Sequence, residues 1–383
     1  MLFEMVRGQV ITDGWRSKEV HEALDLCLSC KGCKGDCPVN VDMATYKAEF
    51  LHHHFKRRLR PLPAYSMGLI MLHARLAARA PRLVNAVTHA PVLKSLVKLA
   101  GGLTTHRELP PFAAEPFDRW FARRTPLNPT GTPVVLWVDT FNTYLHAEVA
   151  KAAVLALEDA GCRVMVPGRA VCCGRPLYDY GMLGLAERLL LRDLEVLRPH
   201  IRAGVPVVGL EPSCVAAFRD ELPALLSYDE DALRLSLQTL TLPEFLLDHL
   251  TDYEPPRLHR KAIVHLHCHH RAVLGADQEL DLLRRMGMDA QAPDFGCCGL
   301  AGSFGFERDK YDVSMKIGER RLLPAVREAP ADTLIVGDGF SCKTQIQHAT
   351  SRRALHVAQL LAMAIEHGPD GPPGDRPERL YPD

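Results

Sequence analysis

The sequence has little that would carry it into a membrane or onto nucleic acid. A helix that spans a bilayer needs about 18–20 consecutive apolar residues, and no such run occurs in the 383 residues. The most apolar stretch, Pro61 to Leu103, is broken by Arg75, Arg79, Arg82, Lys94 and Lys98. The opening residues, MLFEMVRGQVITDGW, lack the apolar segment of a secretory signal. Neither sign of charge is in excess, with Lys plus Arg at 46 and Asp plus Glu at 46. That removes the electrostatic footprint of a nucleic-acid binder. A cytoplasmic protein with no nucleic-acid partner is expected, making at most a peripheral contact at the inner face of a membrane.

What is present is a sizeable core and many cysteines. The chain is 47% hydrophobic and 24% charged, ordinary for a globular protein of two or three domains. It holds twelve cysteines. Without a secretion signal, such cysteines point to metal ligands or redox groups rather than structural disulfides. Eleven of them fall in repeated motifs, and Cys162 alone reads as a small core residue.

Residues 1–60 hold a short lead-in, a cysteine cluster and a helical pattern from near Asp42. Residues 61–130 read as a helical connector with a proline-rich break at LPPFAAEPF. Strand–helix alternation begins at Gly131. VVLWVD (134–139), RVMVP (163–167) and PVVGLE (206–211) read as strands, with helices over 146–161 and near 181–199. The rhythm returns with strands at 263–268 and 333–339, helices over about 276–287 and 307–328, and a closing helix in RALHVAQLLAMAIEHG. Cys172 and Cys297 are 125 positions apart, Cys214 and Cys342 are 128, and Asp139 and Cys268 are 129. Three anchors at nearly one offset indicate an internal duplication. The expected fold is α/β: a small helical ferredoxin-like N-terminal domain, then two duplicated α/β cysteine-rich lobes. The lobes are assigned to 131–255 and 256–366, packed face to face with cysteines in loops at the strand ends. The residues from 367 to 383 read as a disordered tail.

The segment CLSCKGCKGDCP places Cys27, Cys30, Cys33 and Cys37 in the pattern C-x₂-C-x₂-C-x₃-C-P. This is the bacterial ferredoxin run for a 4Fe–4S cluster, and soft thiolates are the ligands iron needs there. Gly32 and Gly35 are expected to permit the tight loop, and Pro38 to turn the chain away. A zinc knuckle is the competing assignment, but zinc sites usually pair two C-x₂-C halves across a longer gap. In two-cluster ferredoxins the fourth cysteine of the run serves the other cluster, and only one run occurs here. Cys37 closes the site locally, or a fourth ligand comes from elsewhere, or a second motif precedes Met1.

The first repeat carries Cys172-Cys173-Gly174 and Cys214 in EPSC; the second carries Cys268 in HCHH, Cys297-Cys298-Gly299 and Cys342 in GFSC. Adjacent thiolates can bridge two irons of one cluster, and the glycine lets the backbone approach the metal. The second repeat offers four thiolates, a full ligand set. The first offers three, and Asp139 stands where the second has Cys268, so it holds a weaker site or no metal. A vicinal structural pair in the core is the plain alternative for either. His267, His269 and His270 flank Cys268 as ligands or as a polar strand end. GLAGSFGFE superficially suggests a nucleotide loop, but it follows a cysteine pair, so its glycines are expected to line the metal loop. HHHFKRRLR (52–60) reads as a solvated helix end, and the amphipathic helices of 64–103 as a packing face or the docking face for a partner subunit.

The segments LDLCLSCKGCKGDCPVNVDMATYKAEF, CCGRPLYDYG, LEPSC, HCHH, GCCGLAGSFGFE and DGFSC carry a family resemblance over about residues 5 to 366. The chain resembles proteins with the cysteine-rich domain of heterodisulfide reductase subunits, found also in iron–sulfur subunits of glycolate oxidase, anaerobic glycerol-3-phosphate dehydrogenase and lactate-utilisation proteins. It is closer still to the C-terminal iron–sulfur part of FAD-linked oxidases similar to D-2-hydroxyglutarate and D-lactate dehydrogenases. The full pattern ends each repeat in C-x₂-C; here Glu211 and Gly339 replace the first cysteine of that pair. The resemblance implies an electron relay between a partner flavoprotein, which carries FAD and oxidises a small D-2-hydroxy acid, and an acceptor such as a quinone or carrier protein. A 4Fe–4S cluster would sit on Cys27, Cys30, Cys33 and Cys37. A second would sit on Cys268, Cys297, Cys298 and Cys342, with Cys172, Cys173 and Cys214 as a third site. The fused enzymes carry an FAD domain and a further cysteine run upstream, so a split or truncated form is expected. The alternatives are a thiol–disulfide reductase working at the Cys-Cys-Gly site and a structural subunit holding zinc.

Overall fold

The computed structural model describes residues 1–381. Its frame is a pair of open sheets, each of four parallel strands. The first sheet contains β1 (Thr132–Trp137), β2 (Cys162–Met165), β3 (Val207–Gly209) and β4 (Thr239–Thr241), in the order β2-β1-β3-β4. The second contains β5 (Lys261–Val264), β6 (Asp289–Gln291), β7 (Leu334–Val336) and β8 (Ala354–Leu355), in the order β6-β5-β7-β8. The duplication visible in the cysteine spacing is thus repeated in strand order. Parallel strands are covered on both faces, so the central ones read as continuous apolar runs. Val134 to Trp137 and Leu334 to Val336 are accordingly buried. β4, β6 and β8 are two or three residues long and carry no such run, which is why sequence periodicity passes over them.

One core runs through both lobes. Helix Ala147–Asp159 of the first and helix Val357–His367 of the second contribute Ala150, Ala153 and Leu157, and Leu360, Leu361 and Ala364, to the same buried cluster. The alanines let the backbones come close, and each buried leucine contributes about 1.5–3 kcal/mol. This face-to-face packing turns the carboxyl ends of both sheets toward a common space, where ligand sites of open α/β sheets lie.

The N-terminal helices start on side-chain caps. Ser17 Oγ accepts the Val20 N–H at 3.2 Å and opens helix Lys18–Asp25. Asp42 accepts from Ala44 and Thr45 and opens helix Met43–His54. The connector is a run of short helices, from Leu62–Ser66 to Leu93–Ala100. It is clamped to the second lobe: the Thr104 N–H donates to Phe306 O at 2.8 Å, and buried Arg107 donates from Nε to Gly305 O at 3.0 Å. Among the described residues, no helix is long and apolar enough to cross a membrane.

Three expectations need correction. The helix placed over 307–328 is two, Tyr311–Glu319 and Leu322–Glu328, because the chain turns at Arg320 and Arg321. Arg60, read as part of a solvated basic end, donates to the carbonyls of Tyr180 at 2.6 Å and Gly181 at 2.9 Å and ties the N-terminal helices to the first lobe. Residues 369–381, read as disordered from their Pro and Gly content, lie against the second lobe. Arg352 and Glu378 form a buried ion pair at 2.7 Å, and Arg260 donates to the carbonyls of Asp370 and Pro372. Composition weighs prolines but does not see one buried pair. Residues 382–383 of that expected tail lie outside the described residues.

Candidate metal centres and the cavity between the lobes

The ferredoxin-type loop leaves helix Lys18–Asp25 and enters the short helix Gly32–Asp36. Its left-handed residues are not the glycines but Ser29 (φ 53°) and Lys31 (φ 60°). Lys31 holds this unfavourable conformation because its ammonium is fixed on three carboxylates: Asp42 at 2.8 Å, Asp220 at 2.6 Å and Glu221 at 2.9 Å. Gly35 instead allows contact with the backbone of Ala272 in the second lobe. Backbone N–H groups point at the sulfurs. Met43 N–H lies 3.4 Å from Cys33 Sγ, and the N–H groups of Val41 and Val39 hold the Cys37 thiol below its ordinary pKa. Burial, then the neighbouring thiol of Cys268, pushes Cys30 up to about 11, and Cys27 and Cys33 add to the rise. Thiols crowded in this way ionise together only when a cation compensates them, which fits a metal group.

In the second repeat, His265 and Cys268 follow the end of β5, and Cys342 lies in the first turn of helix Phe340–Ala349. A ring nitrogen of His265 and the Sγ atoms of Cys298 and Cys342 lie within 4.8 Å of one another, all buried. Cys297 is hydrogen-bonded to Cys268 and to Cys298, which keeps it protonated and raises its pKa. Bonds from Cys297, Cys342 and His265 outweigh burial and draw the Cys298 pKa well below its ordinary value. The glycine of the pair has a mechanical role. Gly299 has φ 89°, and a Cβ there would meet Ser314 O at 2.1 Å. Helix Tyr311–Glu319 passes that close, and the Gly299 N–H reaches Cys297 Sγ at 3.3 Å.

The three histidines beside Cys268 all have partners. His267 Nδ1 accepts the His269 N–H at 3.2 Å, and burial lowers the His267 pKa to about 3, so its ring is neutral. That ring fills the space before Gly339, where an added Cβ would fall 2.3 Å from His267 Cδ2. His269 Nε2 accepts from Arg175 at 2.7 Å. His270 Nδ1 lies 3.0 Å from Glu279; burial opposes its protonation, but the carboxylate raises its pKa. His265 is not singled out by the motifs. The signal that could have found it is its place three residues before Cys268, at the end of a buried strand.

The first repeat differs. Cys172, Cys173 and Cys214 are buried, with Cys173 Sγ 3.0 Å from Cys214 Sγ. Burial first, and Asp139 and Glu211 after it, keep Cys214 protonated, with its pKa pushed up to about 12. The carboxylate of Asp139 caps helix Thr140–Tyr144, accepting N–H groups of Phe141 at 2.8 Å and Asn142 at 3.1 Å and the Asn142 amide at 2.6 Å. Glu211 is also a cap: it accepts Ser213 Oγ at 2.8 Å and, across the lobes, the Phe340 N–H at 2.7 Å. Burial, reinforced by Asp139, pushes the Glu211 carboxyl up to about 7. Both departures from the cysteine pattern are therefore rebuilt as helix caps. Asp193, which no motif marks, accepts the Cys172 N–H at 3.3 Å and leaves Oδ2 buried and unpartnered.

Arg175, directly after the first Cys-Cys-Gly, joins all three parts. It pairs with Glu221, donates to Ser29 O of the ferredoxin loop at 2.9 Å, and donates to His269 of the second lobe. Beside it opens a cavity of about 560 Å³. Connector residues such as Leu62, Ile70, Val84 and Phe112 make its apolar wall. Cys30, Cys268, Cys297, Cys298 and His267 also line it.

Fold and site together define a tandem cysteine-rich protein in which a ferredoxin-type loop is set against the second of two paired-cysteine lobes. The model of the cysteine-rich domain matches residues 139–219 and 263–347. One subunit of the anaerobic glycerol-3-phosphate dehydrogenase of Escherichia coli strain K12 is 31% identical over 291 residues, covering 74% of this chain and 72% of that one. Lactate utilization protein A of Bacillus velezensis is 31% identical over 242 residues, 60% of this chain and 96% of that one. The D-2-hydroxyglutarate dehydrogenase of E. coli strain K12 is 25% identical over 366 residues; the match takes in 91% of this chain but spans only 35% of that enzyme. The chain belongs to the family of cysteine-rich proteins that includes this glycerol-3-phosphate dehydrogenase component and lactate utilization protein A.

Proposed function

We propose that this chain is the iron–sulfur electron-transfer component of an FAD-linked dehydrogenase for a small D-2-hydroxy acid of the glycolate, D-lactate or D-2-hydroxyglutarate type. It takes electrons from a partner flavin and passes them to an acceptor such as a quinone, at the cytoplasmic side. The observation that carries this reading is the approach of Cys30 of the ferredoxin loop to Cys268 of the second repeat, on the wall of one cavity. In this reading Cys27, Cys30, Cys33 and Cys37 hold a 4Fe–4S cluster, and Cys268, Cys297, Cys298 and Cys342 a second, which supply one-electron chemistry. The chain's own residues set the path: Arg175 and Lys31 fix the loop against both lobes, and the connector lines the cavity with apolar side chains. Leu72, Leu76, Leu83 and Leu96 on the connector are exposed, and this apolar face suits a partner flavoprotein.

The cavity beside Cys297 and Cys298 also favours a second reading, thiol–disulfide reduction at that pair. Anaerobic electrochemical titration of the full chain, followed by EPR and by mixing with a water-soluble naphthoquinone, separates the two. Two reducible iron centres reoxidised by the quinone support the relay. Turnover of an organic disulfide with no reoxidation by quinone supports the reductase and overturns the relay.

A further inference from the structure

The second repeat sets a buried histidine nitrogen among its cysteines, together with Cys298 and Cys342. We infer that His265 is a nitrogen ligand of the metal centre there, taking one iron position in place of one of the four thiolates. The inference rests on the reading of this repeat as an iron–sulfur site. Two observations bear on it. A ring nitrogen of His265 shares a sphere of 4.8 Å with the Sγ atoms of Cys298 and Cys342. His265 Nε2 is buried without a hydrogen-bond partner. Such an atom gives up its bonds to water on burial and makes none in return, a loss that a bound metal removes.

The neighbouring histidines do not compete for the role. His267 accepts a backbone N–H at Nδ1. A neutral imidazole that accepts at one nitrogen carries its proton on the other, so His267 Nε2 has no lone pair to give. His269 spends Nε2 on Arg175, and His270 faces Glu279. His265 is also fixed in place: its backbone N–H donates to Val336 O at 2.8 Å, continuing the β5–β7 pairing, and its ring lies against Phe295. A donor anchored at a buried strand end is preorganised for coordination.

The chemical consequence is specific. Imidazole is neutral where thiolate is negative, so a histidine-ligated centre is easier to reduce than an all-cysteine one. Electrons leaving the ferredoxin loop would then fall toward the second repeat and toward the cavity.

The test uses the anaerobically purified full chain, reduced, with natural and with ¹⁵N-labelled histidine, read by electron–nuclear double resonance. Expected is a strong nitrogen coupling on one of two reduced iron signals, altered by the label, absent from the other signal, and lost in His265→Cys. The same variant keeps the metal and moves its midpoint potential to more negative values. His265→Ala, should it fold poorly, is not needed for the result, because the labelled wild type carries it alone. Two iron signals with only weak nitrogen coupling overturn the inference and leave the relay standing. A single iron signal, with zinc in place of the second, overturns the relay reading itself.

Discussion

Arg175→Met is the sharpest perturbation of the architecture. Arg175 and Glu221 are both nearly fully buried, and one Glu221 oxygen serves Arg175 and Lys31 together. Removing the guanidinium leaves Glu221 with a single cation in a dry setting, and breaking such a buried pair costs about 3–5 kcal/mol. The bonds to Ser29 O and His269 Nε2 go as well. At a urea slope of about 2–3 kcal/mol/M, the unfolding midpoint falls by about 1–2 M. The iron held by the ferredoxin loop falls with it, because Ser29 is set by Arg175. Adding Glu221→Gln to Arg175→Met removes that stranded charge and recovers part of the loss, with Asp179 still deprived of its guanidinium partner. Arg175→Lys keeps the charge but has no fork to reach Glu221, Asp179, Ser29 and His269 together, and it lands between the two. A midpoint within about 0.3 M of the wild type, or a double variant no better than Arg175→Met, would refute the reasoning.

Gly299→Ala combines a left-handed φ with a 2.1 Å clash on Ser314 O; it is expected to cost about 2–4 kcal/mol and to lose the second metal centre while sparing the ferredoxin one, read by EPR of the reduced protein. Asp139→Ala removes a buried helix cap and costs about 1–2 kcal/mol in urea, with no change in iron per chain; a drop in iron would make Asp139 a ligand. Burial pushes the Asp220 carboxyl up, but Lys31 and Lys34 outweigh it and hold the group below its ordinary 3.8. Its folded pKa is depressed, so its contribution is complete above pH 3.8 and is lost as pH falls through the folded value. In metal-free protein, the urea midpoint of Asp220→Asn should therefore sit below that of the wild type at neutral pH and converge with it well below pH 3.8. Parallel curves would contradict this.

The α/β class, the duplication and the cysteine positions were legible because each leaves a local mark: an apolar run, a repeat offset, a spacing. The short strands β4, β6 and β8 were not, since they are made strands by their neighbours rather than by their own residues. The role of Gly32 and Gly35 was misassigned for a related reason. Lys31 adopts the left-handed turn because carboxylates 11, 189 and 190 positions away hold it, and no local rule contains Asp220 or Glu221. Asp139 and Glu211 visibly break the cysteine pattern, but their use as caps depends on which N–H groups the folded chain presents. His265 was overlooked because its significance lies in meeting Cys298 and Cys342, which approach from other loops. Arg175 was hidden in the same way.

The central claim is that the ferredoxin loop and the second repeat are both loaded with iron and form one electron path. The direct measurement is iron, zinc and acid-labile sulfide per chain, with low-temperature EPR, on anaerobically purified protein. The account predicts about eight irons and about eight sulfides with two reduced-cluster signals. About four irons with one zinc and a single signal would contradict it, leaving the ferredoxin loop as the one redox centre and the lobes as a scaffold.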